Sequence, residues 1–558
     1  MAEPYVSDNS VLNLTFLVNG EDKGLHTLFK EGWVKFELNK ISLSKFTFAA
    51  LNPAVDQEEE DAIAALQQKP DEDAPALEVF IKDQNKNKLL FKGVVKSFHK
   101  QITPHQTVVK IECKDIAHEL TKPTGNMNAG NSFEDVIIGY TDNYSIRLEG
   151  LDTVKGKEEI VLQHPNTVPW DYLVGYLDNL GYPVAVENGT MKIADIAEEN
   201  GAKYVAEQGI NVFNYSVKTE PQRRKSKVSI SSWDVENQKV ATIEVEQQTP
   251  ENEDNLQLNN SALHASTLER VAQAKLKRSN VASIYGEVLT FGNLEAEIGD
   301  YIELRKIQED VDKKPLLISR AIHQIESGNW KTEFAFGLED ERSFLESLSG
   351  NGQNTQIKSG LTNSVQGLQI GVVVQIEDDP DNQFRIKIKL PMLAPNSEGV
   401  WARLAHLNAS AGWGSFFIPD VGDEVIIGCL DNNPDSPVIL GSLYNPQNTP
   451  SENIEADNDI KGFVTREGTK IILKESEKSI LLTNASGDSI TVSDDLKGIK
   501  IEDQNGNAVQ MDNSGISLKS QTALKIESND SLKISSSAGV KIETSGIMEL
   551  KGSMIKLN

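Results

Sequence analysis

The sequence is short of several things at once. It has 558 residues but only two cysteines, Cys113 and Cys429, far apart in the chain. A disulfide framework is therefore excluded, and folding in a reducing compartment is the natural reading. No apolar run approaches the ~20 residues of a membrane-spanning helix; the longest are pieces such as VVVQI and VIIG. The opening MAEPYVSDNS has neither a basic n-region nor an apolar h-region, so synthesis in the cytoplasm without a signal peptide is expected. Aromatics make up only 6% and hydrophobic residues 38%, low for a compact enzyme. Positive charge is the other shortage. Lys plus Arg total 55 against 83 Asp plus Glu, a net charge of −28. That excess disfavours any broad grip on nucleic-acid phosphates or anionic lipid.

Familiar catalytic patterns are missing too. Neither G-x-x-x-x-G-K-[ST] nor G-x-G-x-x-G occurs, and H-E-x-x-H is absent. His105, Cys113 and His118 lie close in sequence, but Cys113 continues the strand-like Val108–Glu112. A buried thiol between two surface histidines is the expected reading, not a metal site. Scattered carboxylates in so acidic a chain carry no weight as a glycosidase pair. No catalytic residue, cofactor or metal is expected.

What is present is most distinctive near the C-terminus. Residues 470–558 hold no Pro, Cys, Arg or aromatic residue, with 11 Lys against 12 acids, so the first 469 residues carry −27 of the −28. Low complexity or disorder is the plain reading of such a composition. The arrangement speaks against it. Apolar residues come in pairs one residue apart: Ile471/Leu473, Ile480/Leu482, Ile490/Val492, Ile499/Ile501, Val509/Met511, Ile516/Leu518, Leu524/Ile526, Leu532/Ile534, Val540/Ile542, Met548/Leu550 and Ile555/Leu557. The first pairs recur every 9 or 10 residues and the last seven every 7 or 8. Residues i and i+2 of a strand face one way, so each pair marks a very short strand with an apolar inside and often a Lys outside. Fixed-period self-similarity is a repeat architecture. Two aliphatics per rung cannot offset ~1–2 kcal/mol per residue of backbone ordering in one chain. Three such strips around a common axis can. The expected object is an intertwined trimeric, triple-stranded β-helix in which hydrogen bonds between strands run between chains.

Upstream, residues 365–447 read as a small all-β unit. Six strand-like stretches, at Gly371–Ile376, Phe384–Leu390, Gly399–Leu404, Gly414–Ile418, Asp423–Gly428 and Pro437–Gly441, are punctuated by Gly, Pro and Asp. This suggests a Greek-key barrel of the OB type. Nucleic-acid binding would want aromatics on a basic face, whereas the loops Asp378–Asp379 and Asp431–Asp435 are acidic, so a scaffold role is favoured.

Pro419-Asp420-Val421-Gly422-Asp423-Glu424-Val425, followed by Asp435-Ser436-Pro437-Val438-Ile439-Leu440-Gly441-Ser442-Leu443-Tyr444-Asn445, resembles the barrel signature of the VgrG and phage-baseplate spike family. Gly422, Asp423, Glu424, Val425, Pro437, Gly441, Tyr444 and Asn445 carry the match. In that family a β-helical needle follows the barrel, the order read here. Trp170-Asp171-Tyr172-Leu173, Gly181-Tyr182-Pro183-Val184 and Ser232-Trp233-Asp234 are similar to the family's hub, in which three chains form a pseudo-sixfold ring joining tube to needle. The hub half mixes strands, such as Leu89–Val95 and Lys227–Ser231, with helices. Pro169 opens and Gly181 closes an apolar stripe at Trp170, Leu173, Val174, Leu177 and Leu180, and Ser266-Thr267-Leu268-Glu269 has capping-box spacing. The acidic stretch Asp56–Asp73 reads as a solvated loop and helix, with docking in assembly as the alternative.

The whole is expected to be mainly β with some α. It divides into a hub of barrel-like α+β domains (1–350), a linker (351–364), the OB barrel (365–447), a second linker (448–469) and the needle (470–558). The needle core is expected at Ile499, Ile501, Ile516, Leu518, Leu524, Ile526, Leu532, Ile534, Val540, Ile542, Ile555 and Leu557. By resemblance, a homotrimer would nucleate the inner tube of a contractile injection system, contact baseplate proteins at the hub, and briefly meet the target membrane on firing, when it is released or exported. Met554, Lys556 and Asn558 would seat a PAAR-repeat tip protein. Only about 25 residues separate barrel from first rung, and the chain stops at Asn558 directly after the last, so both usual places for an enzyme domain are expected empty. The effector-free form favours an extracellular phage-tail-like particle over type VI secretion or a phage. A trimeric receptor-binding fibre, or a cell-wall hydrolase on a β-rod stalk, are the other classes.

Overall fold

The computed structural model describes residues 12–556, apart from 52–56, 70–72, 84–85, 124–132, 155–167, 197–200, 236, 248–253, 260–264, 341, 345–364, 366 and 394–396. The 351–364 linker, Leu557, Asn558, and Asp56, Asp71 and Glu72 of the acidic stretch lie outside the described residues. The chain divides into two compact units, Met1–Asn445 and Pro446–Asn558.

The first unit is built on alternation. In Leu43–Leu51, Ser44, Phe46, Phe48 and Ala50 are buried while Lys45 and Leu51 face out. The neighbouring Gln106–Lys114 buries Thr107, Val109, Ile111 and Cys113, and the two strands pair with Phe46 opposite Ile111. Each strand thereby supplies one apolar face to a common core. Phe16 sits edge-on to Phe46 and Phe48 at centroid distances of 5.5 and 5.3 Å, a favoured aromatic geometry. These strands belong to a 13-stranded sheet. Its two halves, distant in sequence, join where Pro315–Glu326 pairs antiparallel with Phe29–Glu37, Ala321 opposite Phe36.

Helices cover parts of this unit. Pro169–Asn179 begins with Pro in its first turn and buries Trp170, Tyr172, Leu173, Val174 and Leu177 against Phe133–Asn143. It ends as expected at Gly181, where the Tyr182 N–H donates to the Leu177 carbonyl at 2.9 Å and the Gly181 N–H to Asp178. A third helix, Ala265–Val281, starts one residue before Ser266. Its Leu268, Ala272 and Leu276 pack on Val228 and Ile230 of the small sheet formed by Lys227–Asp234, Lys239–Glu246 and Asn255–Asn259.

Gln369–Gln375, Ile386–Lys389, Val400–Leu404, Pro437–Ser442 and Glu424–Cys429 close into a five-stranded barrel around Val373, Ile386, Ile388, Ala402, Val425, Ile427 and Ile439. The sixth expected strand is not part of it. Trp413–Gly414 pairs only with Ala409–Ser410, residues 415–418 form no strand, and Phe416 and Phe417 stand exposed. The Phe-Phe-Ile run has no inside–outside alternation to place it in a barrel wall.

In the second unit, seven strands, Ile460–Val464, Lys470–Lys474, Ser479–Thr483, Ser489–Ser493, Gly498–Glu502, Ala508–Asp512 and Gly515–Lys519, form one antiparallel meander. The first lies within the stretch expected as linker. The hydrogen bonds between these strands run within one chain, where they were expected between chains. Beyond Lys519 the described residues form no strand.

Candidate functional site

The barrel signature folds into one knot at the end of the barrel. Asp423 N–H donates to the Asp420 carbonyl and Asp420 N–H to Asp423 Oδ2 at 2.9 Å, closing a tight turn. Gly422 N–H donates to the Val373 carbonyl and Val373 N–H to the Asp423 carbonyl, stapling that turn to the first barrel strand. Glu424 Oε2 accepts from Asn445 Nδ2 at 2.8 Å, so the two halves of the signature, 21 residues apart, meet directly. Val425 points into the core, Pro437 is buried at the start of its strand, and Gly441 sits beside a register shift opposite Ile426. Tyr444 is exposed.

The acidic loop Asp378–Asn382 is more than a solvated turn. Asp379 accepts backbone N–H bonds from Asp381, Gln383 and Arg385 and is gripped by the Arg385 guanidinium at 2.6 Å. Burial pushes its carboxyl up, but the guanidinium and the three N–H donors outweigh that and hold it at about 2. Phe384, at φ 58°, is presented to solvent by this weld.

In the meander the pairs fall into two columns. Ile471, Leu482, Ile490, Ile501, Val509 and Leu518 follow one another across the sheet, beside Leu473, Ile480, Val492, Ile499, Met511 and Ile516. All lie on one face. Ile499 and Val509 are half-buried and the rest exposed in the single chain, as Ile490 is at 41%. The opposite face turns polar along the meander, its central column running Ile472, Leu481, Thr491, Lys500, Gln510, Ser517.

Loop chemistry sets the spacing. Five-residue loops at Thr465–Thr469, Asn484–Asp488 and Asp503–Asn507 recur every nineteen residues. In each the first side chain accepts the N–H of the fifth residue at 3.1, 3.0 and 2.8 Å. Each carries glycine in its fourth position, at φ 84°, 95° and 82°, a left-handed conformation that other residues adopt at a cost. Four-residue loops at Glu475–Lys478 and Asp494–Lys497 alternate with them. Five-residue strands plus loops of four or five give the 9- and 10-residue spacings.

From residue 520 the pattern changes. The backbone bends at 521–522, 529–530, 537–538, 545–546 and 553, once every eight residues, with extended segments between. Leu524/Ile526, Leu532/Ile534, Val540/Ile542, Met548/Leu550 and Ile555 follow the successive bends, and all are exposed, as are Met554 and Lys556. Hydroxyls hold the corners at the same period. Ser520 and Ser528 each donate to a carbonyl three residues on at 3.0 Å, and Ser536 and Thr544 accept backbone N–H bonds. This eighth-residue hydroxyl is a signal the aliphatic pairs alone do not reveal.

In the first unit, Cys113 is buried and its thiol pushed up to about 12 by burial. His105 is exposed, but His118 is buried rather than on the surface, because its short helix packs inward with Ala117 and Leu120. Among the described residues no group of three or more His, Cys, Asp or Glu is placed to hold a metal. Trp170 and Tyr172 are core residues, while Trp233 is exposed opposite Val240. A node that spacing could not reveal ties this region together. Buried Asp178 is paired with the Arg278 guanidinium and accepts from Asn39 Nδ2 at 2.8 Å and the Phe344 N–H at 2.7 Å.

Two family models match the chain. The type VI secretion system/phage-baseplate injector OB domain matches residues 369–444, the span of the closed barrel. The Alg8 N-terminal domain matches residues 8–327, more than half of the chain. The chain belongs to the Alg8 N-terminal domain family. Among curated proteins, this Alg8-type chain is 30% identical over 109 residues to the type VI secretion system spike protein VgrG1a of Pseudomonas aeruginosa, covering 18% of the chain and 17% of that protein. It is 36% identical over 92 residues to the spike protein VgrG3 of Vibrio cholerae, covering 15% and 9%. The chain thus spans under a fifth of these curated relatives' length. In fold, it is similar to a chain of the lidded Francisella PdpA–VgrG complex, with a TM-score of 0.55 at 12% identity over 92% of this chain and 81% of that one. The resemblance to the VgrG and baseplate spike family, read from the Gly422–Asn445 signature, is borne out.

Proposed function

We propose that the chain is the central hub and spike of a contractile injection system and acts as a homotrimer. The observation that carries this reading is the pair of aliphatic columns on one face of the meander, downstream of a barrel that matches the injector OB domain. An apolar face of that length is unstable in water, and threefold association around it would form a closed core. The hub would nucleate the inner tube and meet baseplate proteins. Contraction would then drive the needle through the target envelope, with only transient contact with its membrane. A PAAR-repeat protein would cap the end near Met554 and Lys556.

The work is mechanical, and the chain is proposed not to be an enzyme. Its relatives are spike proteins, and the lowered carboxyl of Asp379 is explained by a structural partner, Arg385. It would be made in the cytoplasm, built into the particle and released or exported on firing. Deleting the gene in the producing organism tests the reading. Electron microscopy of lysates is expected to show no sheathed particles, with recovery on restoring the chain. Normal particles in the deletion strain would overturn it.

A further inference from the structure

The C-terminal repeat contains two kinds of surface in series, and they ask different things of a partner. Between Ile460 and Lys519 every strand is paired in-chain, the inner ones on both edges, so the backbone is largely satisfied within one chain. Only the side-chain columns lack cover. Between 520 and 556 extended segments alternate with bends and no strand pairs with another. There hydroxyls satisfy only the corners, the extended backbone between them has no strand beside it, and the aliphatics are exposed. Exposure rises once the inner strands end: Ile480 and Ile490 are 42% and 41% exposed, whereas Ile516 on the last paired strand is 74% and Ile526 and Ile534 are 58% and 68%.

The partner that fits both surfaces is a second and third copy of this chain. The i, i+2 aliphatic pairs run through the two parts without interruption, so whatever covers the columns can continue down the ladder. Identical chains also bring identical eight-residue rungs into register. Charge does not oppose this, since residues 470–558 sum to −1 and Lys525 and Lys541 are neutralised locally by Glu527 and Glu543.

Resting on the homotrimer reading, we infer that Ile460–Lys519 is the assembly nucleus and that 520–556 folds only after it, zipping along three chains already held in register. The meander forms its hydrogen bonds before association and offers a preformed apolar face. The distal segment must order its backbone with no in-chain strand pairing to offset the lost entropy, so it stays open until neighbours are fixed beside it. The dependence is one-way: distal order requires the proximal trimer, and the proximal trimer does not require distal order.

Hydrogen–deuterium exchange read by mass spectrometry, with native mass in parallel, tests this on three full-length proteins: wild type, Ile480→Asp with Ile490→Asp, and Ile526→Asp with Ile534→Asp. The expected wild type is a trimer protected over 460–556. The proximal variant is expected to lose the trimer, with peptides from 520–556 exchanging at the rate of unstructured chain. The distal variant is expected to remain trimeric, with 460–519 protected and 520–556 open. A distal variant that is monomeric, or a proximal variant still protected over 520–556, overturns the order of assembly while leaving the trimer standing. A monomeric wild type overturns the homotrimer reading itself.

Discussion

Replacing Ile490 by Asp probes the aliphatic columns where they are most regular. Ile490 lies between Leu482 and Ile501 in its column and remains 41% exposed in the single chain. Fully burying an Ile side chain contributes ~1.5–3 kcal/mol, so covering the remaining two-fifths adds about 0.6–1.2 kcal/mol per chain, or roughly 2–4 kcal/mol for a rung of three. The substitution removes that gain and places three carboxylates at one level of the core, each with a desolvation penalty of several kcal/mol. The sum is a large part of the ~5–15 kcal/mol that holds a typical domain together. Thr491→Asp, one residue along on the opposite face, is the control and should cost little. Light scattering at micromolar concentration is expected to show a trimer for Thr491→Asp and dissociated chains for Ile490→Asp. A trimeric Ile490→Asp, or equal loss in both, would refute the inward assignment of the columns.

Other predictions concern the first unit. Asp379→Asn loosens the loop that carries Phe384. Because the folded carboxyl lies near 2, below its ordinary 3.8, its contribution is complete above 3.8 and lost as pH falls toward 2. Melting curves of the variant should be lower at neutral pH and flatter across that acid window; an unchanged slope contradicts the weld. Glu187 behaves oppositely: burial, then the Glu297 carboxylate, push it up to about 8. Between 4.5 and 8 the folded state keeps a proton the unfolded chain has lost, so stability falls as pH rises through that window. Glu187→Gln, which can still accept the Ile298 N–H, should raise Tm at pH 7 and flatten the slope; a lower Tm counts against this. Asp178→Ala leaves the Arg278 guanidinium buried without its partner, at a cost of about 3–5 kcal/mol. Denaturant unfolding followed at the buried Trp170 should show the loss, and a shift below about 1 kcal/mol would contradict the node.

Much of this structure was legible in local patterns. The Pro169–Gly181 helix, five of the six expected barrel strands and the shared face of the aliphatic pairs from Ile471 to Leu518 follow from periodicity and turn residues. The parts that were not legible depend on partners far along the chain or on loop chemistry. Asp178 and Arg278 are separated by a hundred residues, and neither stands out in its own helix. Ile460–Val464 lacks the aliphatic-pair signal because Lys461 and Phe463, not two aliphatics, sit opposite Leu473 and Ile471 at the head of the columns. The change from in-chain meander to extended eight-residue path was present in the spacings, 9 and 10 against 8. Its cause lay elsewhere, in the Gly468, Gly487 and Gly506 loops that reverse the chain and the Ser520, Ser528, Ser536 and Thr544 corners that only bend it. Alternation assigns a side chain to a face; the loop decides which strand lies beside it.

The native mass of the purified full-length chain tests the central claim most directly. One chain is 61.5 kDa. Native mass spectrometry is expected to find a species of three times that mass, and a stable monomer with its C-terminal repeat ordered would contradict the account.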